Sequence, residues 1–422
     1  MLINMRRNKL LNNKKTKEQS AESQVGKQRT GVTSEQKFLL QVLSDHLSRR
    51  HTVPVSNLNW DVLFRLSRAH QVEGIFFYQC RDFMPDRRKF EEFFYATLFY
   101  NKNRRIKMSQ LETELSQRCI PFFTVKGFET AQYYPVPDLR TMGDNDIIVH
   151  EEDKDEVGKV LLSLGFSYDL EFVGKEQIYL YQDMEYDLHH RLIYNESITM
   201  PEQEKFFNDC WTYVKNGKLD HSFHFLFLLV HLRKHLMNEG AGFRQFMDIA
   251  VVGNMDSELN WVWIEKKLEE LRLKMFAEKC FSLLEFWFGI CLPIAHPYLD
   301  KDFCEQATKM ICDNGVFGFD DKDNKFNGTV NKLRRIRGPR WLGRMVMIAE
   351  RLFPGYTFLC SGSSYSFLKG RPFLLPAAWM YRFYLMLCGR TTGGEEALRQ
   401  ILIPADVINR REEAMREWGL ID

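Results

Sequence analysis

Residues 143–149 read Gly-Asp-Asn-Asp-Ile-Ile-Val, and no other stretch limits the fold of this chain as tightly. Three β-branched residues in a row favour extended backbone. In a strand, positions i and i+2 share a face. Asp144 and Asp146 therefore stand side by side at the start of a strand whose remainder is apolar enough to be buried. Two carboxylates that close repel unless a cation lies between them. Hard cations such as Mg²⁺ take oxygen ligands, commonly one or two carboxylates plus substrate phosphates. The pattern predicts an internal strand with a metal site at its exposed start.

The sequence around this strand differs from the rest. Residues 120–125, 166–173, 177–182 and 185–192 are short apolar or alternating runs that predict further strands. Residues 151–164 are amphipathic and open with acids, which suit a helix N-terminus, and Gly165 closes that helix. Residues 34–118 repeat apolar side chains at helical spacing (Phe38, Leu39, Val42, Leu43, Leu47), with a long helix predicted over 90–117. From 201 onward the reading is mainly helical. Residues 223–236 are apolar on several sides, and 261–292 read as two helices. The expected class is α+β, predominantly helical. The expected division is a disordered basic tail (1–33), an N-terminal helical region (34–118), an α/β core (119–195) and a C-terminal helical region (196–422).

Further chemistry is within reach of the carboxylate pair. Asp187 and His189 share one face of the strand predicted over 185–192. If that strand lies beside the Asp144 strand, Asp144, Asp146 and Asp187 meet as a three-carboxylate metal site. Two such metals would activate a hydroxyl and stabilise the leaving oxygen of a phosphoryl transfer. Lys126-Gly127 precedes a short predicted helix whose free N–H groups suit a phosphate, with Gly127 allowing close approach. Arg140 is placed to pair with phosphate oxygens.

This arrangement resembles the nucleotidyltransferase superfamily that includes DNA polymerase beta. More closely, it resembles the bacterial uncharacterised nucleotidyltransferase family, in which Leu-Lys-Gly, Tyr-x-x-Pro, Arg, Asp-x-Asp, Gly-Phe and Asp-Leu-His follow in order. Here these are Val125-Lys126-Gly127, Tyr134 with Pro137, Arg140, Asp144 with Asp146, Gly165-Phe166 and Asp187-Leu188-His189. Phe128 departs from the superfamily pattern, which has a small residue after the glycine. The resemblance implies a minimal nucleotidyltransferase mixed sheet with flanking helices. It also implies transfer of an NMP from an NTP to an acceptor, with release of pyrophosphate. Mg²⁺ is the expected metal, with Mn²⁺ as the alternative. Asp144, Asp146 and Asp187 would be catalytic and metal-binding, and Lys126, Gly127 and Arg140 would hold the triphosphate. His189, His231, His235, Arg244 and Asp248 are candidates for the substrate side. The acceptor is open between a small molecule, a glycan precursor, RNA and protein. A toxin-like regulator acting on RNA or protein, and a non-catalytic nucleotide-binding scaffold, are the competing readings.

Other signals are weaker. His231 and His235 are four apart on a helix and share a face, but Leu232 stands where HExxH has Glu. Arg244 and Asp248 have the spacing of a helix salt bridge, and the family carries a similar Arg…Asp-Ile element. Residues 313–328 are a Gly/Asp/Asn-rich loop without the glycine and glutamate of a calcium-binding EF-hand. No Walker A, Rossmann or Gly-x-Ser-x-Gly fingerprint occurs. Nine cysteines, no two closer than eight residues, fit reduced thiols rather than a disulfide framework.

The formal charge of +2 is unevenly spread. Residues 1–31 hold eight Lys/Arg against two Glu, and residues 331–394 hold eleven Lys/Arg against Glu350 alone. The second region, with Arg340 and Arg344 around Trp341, is a candidate contact for an anionic surface, nucleic acid or lipid. The alternative is arginines laid over a large core. The N-terminus lacks the apolar run of a signal peptide, and no stretch is long and uninterrupted enough for a membrane span. The expected location is cytoplasmic.

Overall fold

The computed structural model describes residues 31–421 apart from 172–175, 183, 195–199, 239, 256–257, 295–299, 315–329, 331–332, 335, 337–338, 361–362, 369 and 388–402. The basic tail and most of the Gly/Asp/Asn-rich loop predicted from sequence lie outside these residues.

Helices α1 (Ser34–Leu47), α2 (Trp60–Ala69), α3 (Glu73–Cys80) and α4 (Arg88–Gln117) come first. Thr33 starts α1 with a reciprocal cap, its Oγ1 accepting from the Gln36 N–H while Gln36 Oε1 accepts from the Thr33 N–H. Asn59 caps α2 by accepting from the N–H groups of Asp61 and Val62.

The α/β stretch runs β1 (Phe122–Val125), α5 (Gly127–Ala131), β2 (Asp144–Val149), α6 (Lys154–Ser163), β3 (Ser167–Glu171), β4 (Gln177–Tyr181) and β5 (Met184–His189). The helix predicted over 151–164 opens as a 3₁₀ turn, Glu151–Asp153, before α6, and Gly165 (φ +90°) closes it. Helix α5 is one short turn and a half, because the chain bends into a second 3₁₀ turn at Pro137–Leu139.

The sheet order is β1-β2-β5-β4-β3. The central pair β2/β5 is parallel and every other pairing is antiparallel. Alternation sorts its two faces. Ile147, Val149, Tyr186 and Leu188 pack with Val157, Val160 and Leu161 of α6 and with Met108, Leu111 and Leu115 of α4. Phe123, Val125 and Ile148 face the other way, into a much larger helical core. Asp144 and Asp146 share the Ile148 face, so the carboxylates point toward the helical body.

That body is built from α7 (Pro201–Asn208), a small hairpin of β6 (Val214–Lys215) and β7 (Lys218–Leu219), α8 (His221–Asn238), α9 (Phe243–Gly253), α10 (Trp261–Glu270), α11 (Lys274–Phe288) and α12 (Lys301–Asn314). The hairpin is absent from the helical reading of this region. Its Asn216-Gly217 turn takes positive φ at both positions, the geometry a tight hairpin requires. Helix α8 is apolar on several sides and largely buried, as its sequence predicts. One continuous core holds residues of α1–α4, β1, β2 and α8–α12. Farther on come α13 (Arg340–Leu352), α14 (Tyr356–Cys360), α15 (Leu375–Leu387) and α16 (Ala405–Glu417). Beyond α16, Trp418, Leu420 and Ile421 return to that core.

Candidate active site

Parallel pairing of β2 and β5 sets Asp146 directly opposite Asp187, and Asp144 opposite Glu185. Ligand atoms of Asp146, Asp187 and His189 all lie within 4.8 Å of one another. Asp146 Oδ2 is 2.7 Å from Lys126 Nζ, and its Oδ1 is 3.1 Å from His189 Nε2. The other His189 ring nitrogen is 3.6 Å from Glu176. Asp144 is exposed at the mouth of the strand and stands outside the group of three. His189, predicted as a substrate-side group, lies inside it.

The two buried carboxylates are driven in opposite directions. Burial alone would raise Asp146, but the Lys126 ammonium and His189 outweigh it and hold the carboxyl well below the usual range. Burial, then the charges of Asp144 and Asp146, push Asp187 up to about 9. Asp187 Oδ1 is buried with no hydrogen-bond partner among the described residues. An orphaned carboxylate oxygen beside a second carboxylate and an imidazole is a donor set that fits a divalent cation.

Lys126 is held as much by its backbone as by its charge. It takes φ +56°, uncommon for a residue with a side chain. Its N–H donates to His224 Nε2 at 3.3 Å, and its carbonyl accepts from the Thr130 N–H and hydroxyl. His224 is buried, and burial pushes its imidazole down to about 3, so it stays neutral and keeps an acceptor for that N–H. Gly127 has an ordinary φ, and a Cβ there would meet the Asp144 carbonyl only at van der Waals distance, 3.5 Å. The conformational demand falls on Lys126 rather than on the glycine. Phe128 packs against the core beneath α4 and α6.

Residues 138–143, which lead into β2, are gripped by buried side chains. Asn101 donates to the Asp138 and Arg140 carbonyls, and Arg104 to those of Met142 and Gly143. Arg244 donates to the Thr141 carbonyl at 2.6 Å. Arg140, predicted at the triphosphate, is 4% exposed and donates through Nε and a terminal nitrogen to Asp248, both at 2.7 Å. Tyr134 adds a third 2.7 Å bond to the same carboxylate. The expected Arg244–Asp248 helix pair is therefore replaced: Asp248 binds Arg140, and Arg244 binds backbone. Distance along the sequence hid this, because the partners are 108 residues apart. Removing one partner of such a buried pair costs about 3–5 kcal/mol.

Asn101, Arg104 and His224 are absent from the predicted site. A signal for the first two exists. Phe94, Thr97, Asn101, Arg104, Met108, Leu111 and Leu115 form one buried stripe of α4 at alternating spacings of three and four. Two strongly polar residues in a core stripe need internal partners. His231 and His235 face each other at 2.9 Å on α8, and burial pushes His235 down to about 3. The Lys126 charge adds to the lowering of both imidazoles.

A mixed sheet with paired carboxylates on its central strands, a lysine in salt-bridge contact and a clamped approach loop is the setting for nucleotidyl transfer. A family model described as "Uncharacterised nucleotidyltransferase" matches residues 56–289, more than half of the chain, including every site residue from Asn101 to Asp248. The chain belongs to the uncharacterised nucleotidyltransferase family. Comparison with curated proteins and with solved structures gives no match.

Proposed function

We propose that this protein is a Mg²⁺-dependent enzyme that moves an NMP from an NTP to an acceptor hydroxyl, phosphate or amine and releases pyrophosphate. The observation that carries this reading is the pairing of Asp146 with Asp187 next to Lys126 and His189. Asp146 and Asp187 would hold the cation, with Asp144 at the open end of β2 as a further oxygen donor. When bound, Mg²⁺ neutralises charge on the triphosphate and lowers the pKa of an attacking hydroxyl. Lys126 would bring a second positive charge to the phosphates, its backbone hydrogen-bonded to His224 and Thr130. Asp187, ionised once the cation is held, would complete the site and help deprotonate the acceptor. Arg140 acts through Asp248 as a positioning residue. His189 orients Asp146, and His231 and His235 line the acceptor side.

The test is thermal unfolding with each of the four NTPs, with and without Mg²⁺, for the natural protein and Asp146→Asn. A nucleotide at about 100 times its Kd should add roughly 2.7 kcal/mol of stability. The expected result is a Mg²⁺-dependent shift with one NTP, lost in Asp146→Asn, followed by transfer of label from the α-phosphate. No shift with any NTP, in either condition, would replace transfer by a scaffold role.

A further inference from the structure

We propose that α13, α15 and the short approach to α15 form a surface that docks onto an anionic lipid bilayer, lying in its interface without crossing it. Two helices carry the observation. On α13, Trp341 and Met345 are 66% and 56% exposed, four residues apart. On α15, Met380 and Tyr384 are 73% and 57% exposed, four residues apart on one face, and Phe373, in the 3₁₀ turn before it, is 75% exposed. Phe353 and Phe358 are exposed nearby. Large apolar side chains grouped like this on a surface mark a contact site.

The platform is built, not frayed. Leu359, Tyr365, Leu368 and Ala378 form a small core beneath it. Phe353 meets Trp379 and Phe383 edge-on, and the Trp379 indole donates to the Pro354 carbonyl. Arg340 reaches Glu412 and Asn409 of α16, and Arg344 the Ile403 carbonyl. Helix α16 leads to Trp418, which packs on Phe303 and Phe246 in the main core.

Charge selects the occupant. Within 340–387 the described residues include five arginines (Arg340, Arg344, Arg351, Arg371 and Arg382) and one acid, Glu350, so two copies of this face repel each other. Nucleic acid would need cations at the centre of the patch. Here the most exposed side chains are apolar, while Arg340 and Arg344 are engaged internally. Exposed apolar side chains together with the exposed Arg351 and Arg371 suit acyl chains beneath anionic headgroups. Helices of 13 residues span about 20 Å, short of the roughly 30 Å hydrocarbon layer. Among the described residues no helix is long and apolar enough to cross a membrane.

The experiment is co-sedimentation of the full chain with vesicles of phosphatidylglycerol and phosphatidylcholine, against phosphatidylcholine alone. The natural protein should sediment with the anionic vesicles only. Phe373→Ser combined with Met380→Ser should lower that partition by about tenfold or more, with an unchanged thermal midpoint. Val262→Ser, equally exposed on α10, should leave it intact. Equal sedimentation with both lipids, or none with either, overturns the proposal. So does a concentration-dependent dimer abolished by the double variant, or RNA homopolymer binding in place of vesicle binding.

Discussion

Asp187 faces Asp146 across the parallel strands, and burial with the neighbouring carboxylates pushes its pKa up to about 9 from an ordinary 3.8. The unfolded chain releases this proton near 3.8 and the folded chain only near 9. Folded protein thus binds more protons across that window, and the Asp187 contribution to stability is lost as pH rises through it. Asp187→Asn should therefore raise the metal-free thermal midpoint at neutral pH. It should also shrink the stabilisation given by Mg²⁺. Thermal scans with chelator and with Mg²⁺ read both effects, and a lower metal-free midpoint in the variant would contradict them. Asp144 and Asp146 were legible because period-2 spacing is local. The left-handed φ of Lys126 was not, because nothing in Val-Lys-Gly marks lysine rather than glycine as the residue that bends.

Helix α4 shows how an element outside the sheet controls the site. Its stripe is apolar below Arg104, where it supports the sheet, and polar at Asn101 and Arg104, where it holds the loop before Asp144. Replacing Arg104 with Met keeps the helix and the volume but frees the Met142 and Gly143 carbonyls. A shift of about 1 Å at the carboxylates is worth roughly 10²-fold in rate. Arg104→Met should then lower kcat by about that factor with little change in KM for the NTP, and Arg104→Lys should recover part of it. Steady-state kinetics separate this from a merely structural effect, which would lower the active fraction and leave the Arg104→Lys protein no better. The helix itself was predicted within two residues of its start, yet its function was not, since a stripe records burial and not what lies opposite.

Across the whole molecule, distant segments are joined through buried histidines. His70 ends α2, meets the Phe243 ring tilted at 4.4 Å between centroids and accepts the Phe243 N–H through Nδ1, joining α2 to α9. Burial pushes its pKa down to about 3, and that of His46 to about 4, from an ordinary 6.5. The unfolded chain takes these protons below 6.5 while the folded chain refuses them until much lower pH. Their contribution is complete above 6.5 and falls away as pH drops toward 3. Urea midpoints should decline between about pH 7 and about pH 5, before most carboxylates titrate. His70→Gln should flatten that decline while lowering the midpoint at pH 7. An unchanged slope would show that His70 does not carry it.

The sequence by itself determined the order of elements through the five-stranded sheet, the Asp-x-Asp strand, the third acid with its histidine, and membership of the α+β class. Each of these rests on periodicity or spacing within a few residues. Tertiary structure alone decided the parallel register that sets Asp146 against Asp187, the pairing of Arg140 with Asp248, and the clamp from α4. Those partners lie 38 to 108 residues apart. Side-chain pairing at that range follows from how helices pack around a sheet, and local sequence carries no record of it.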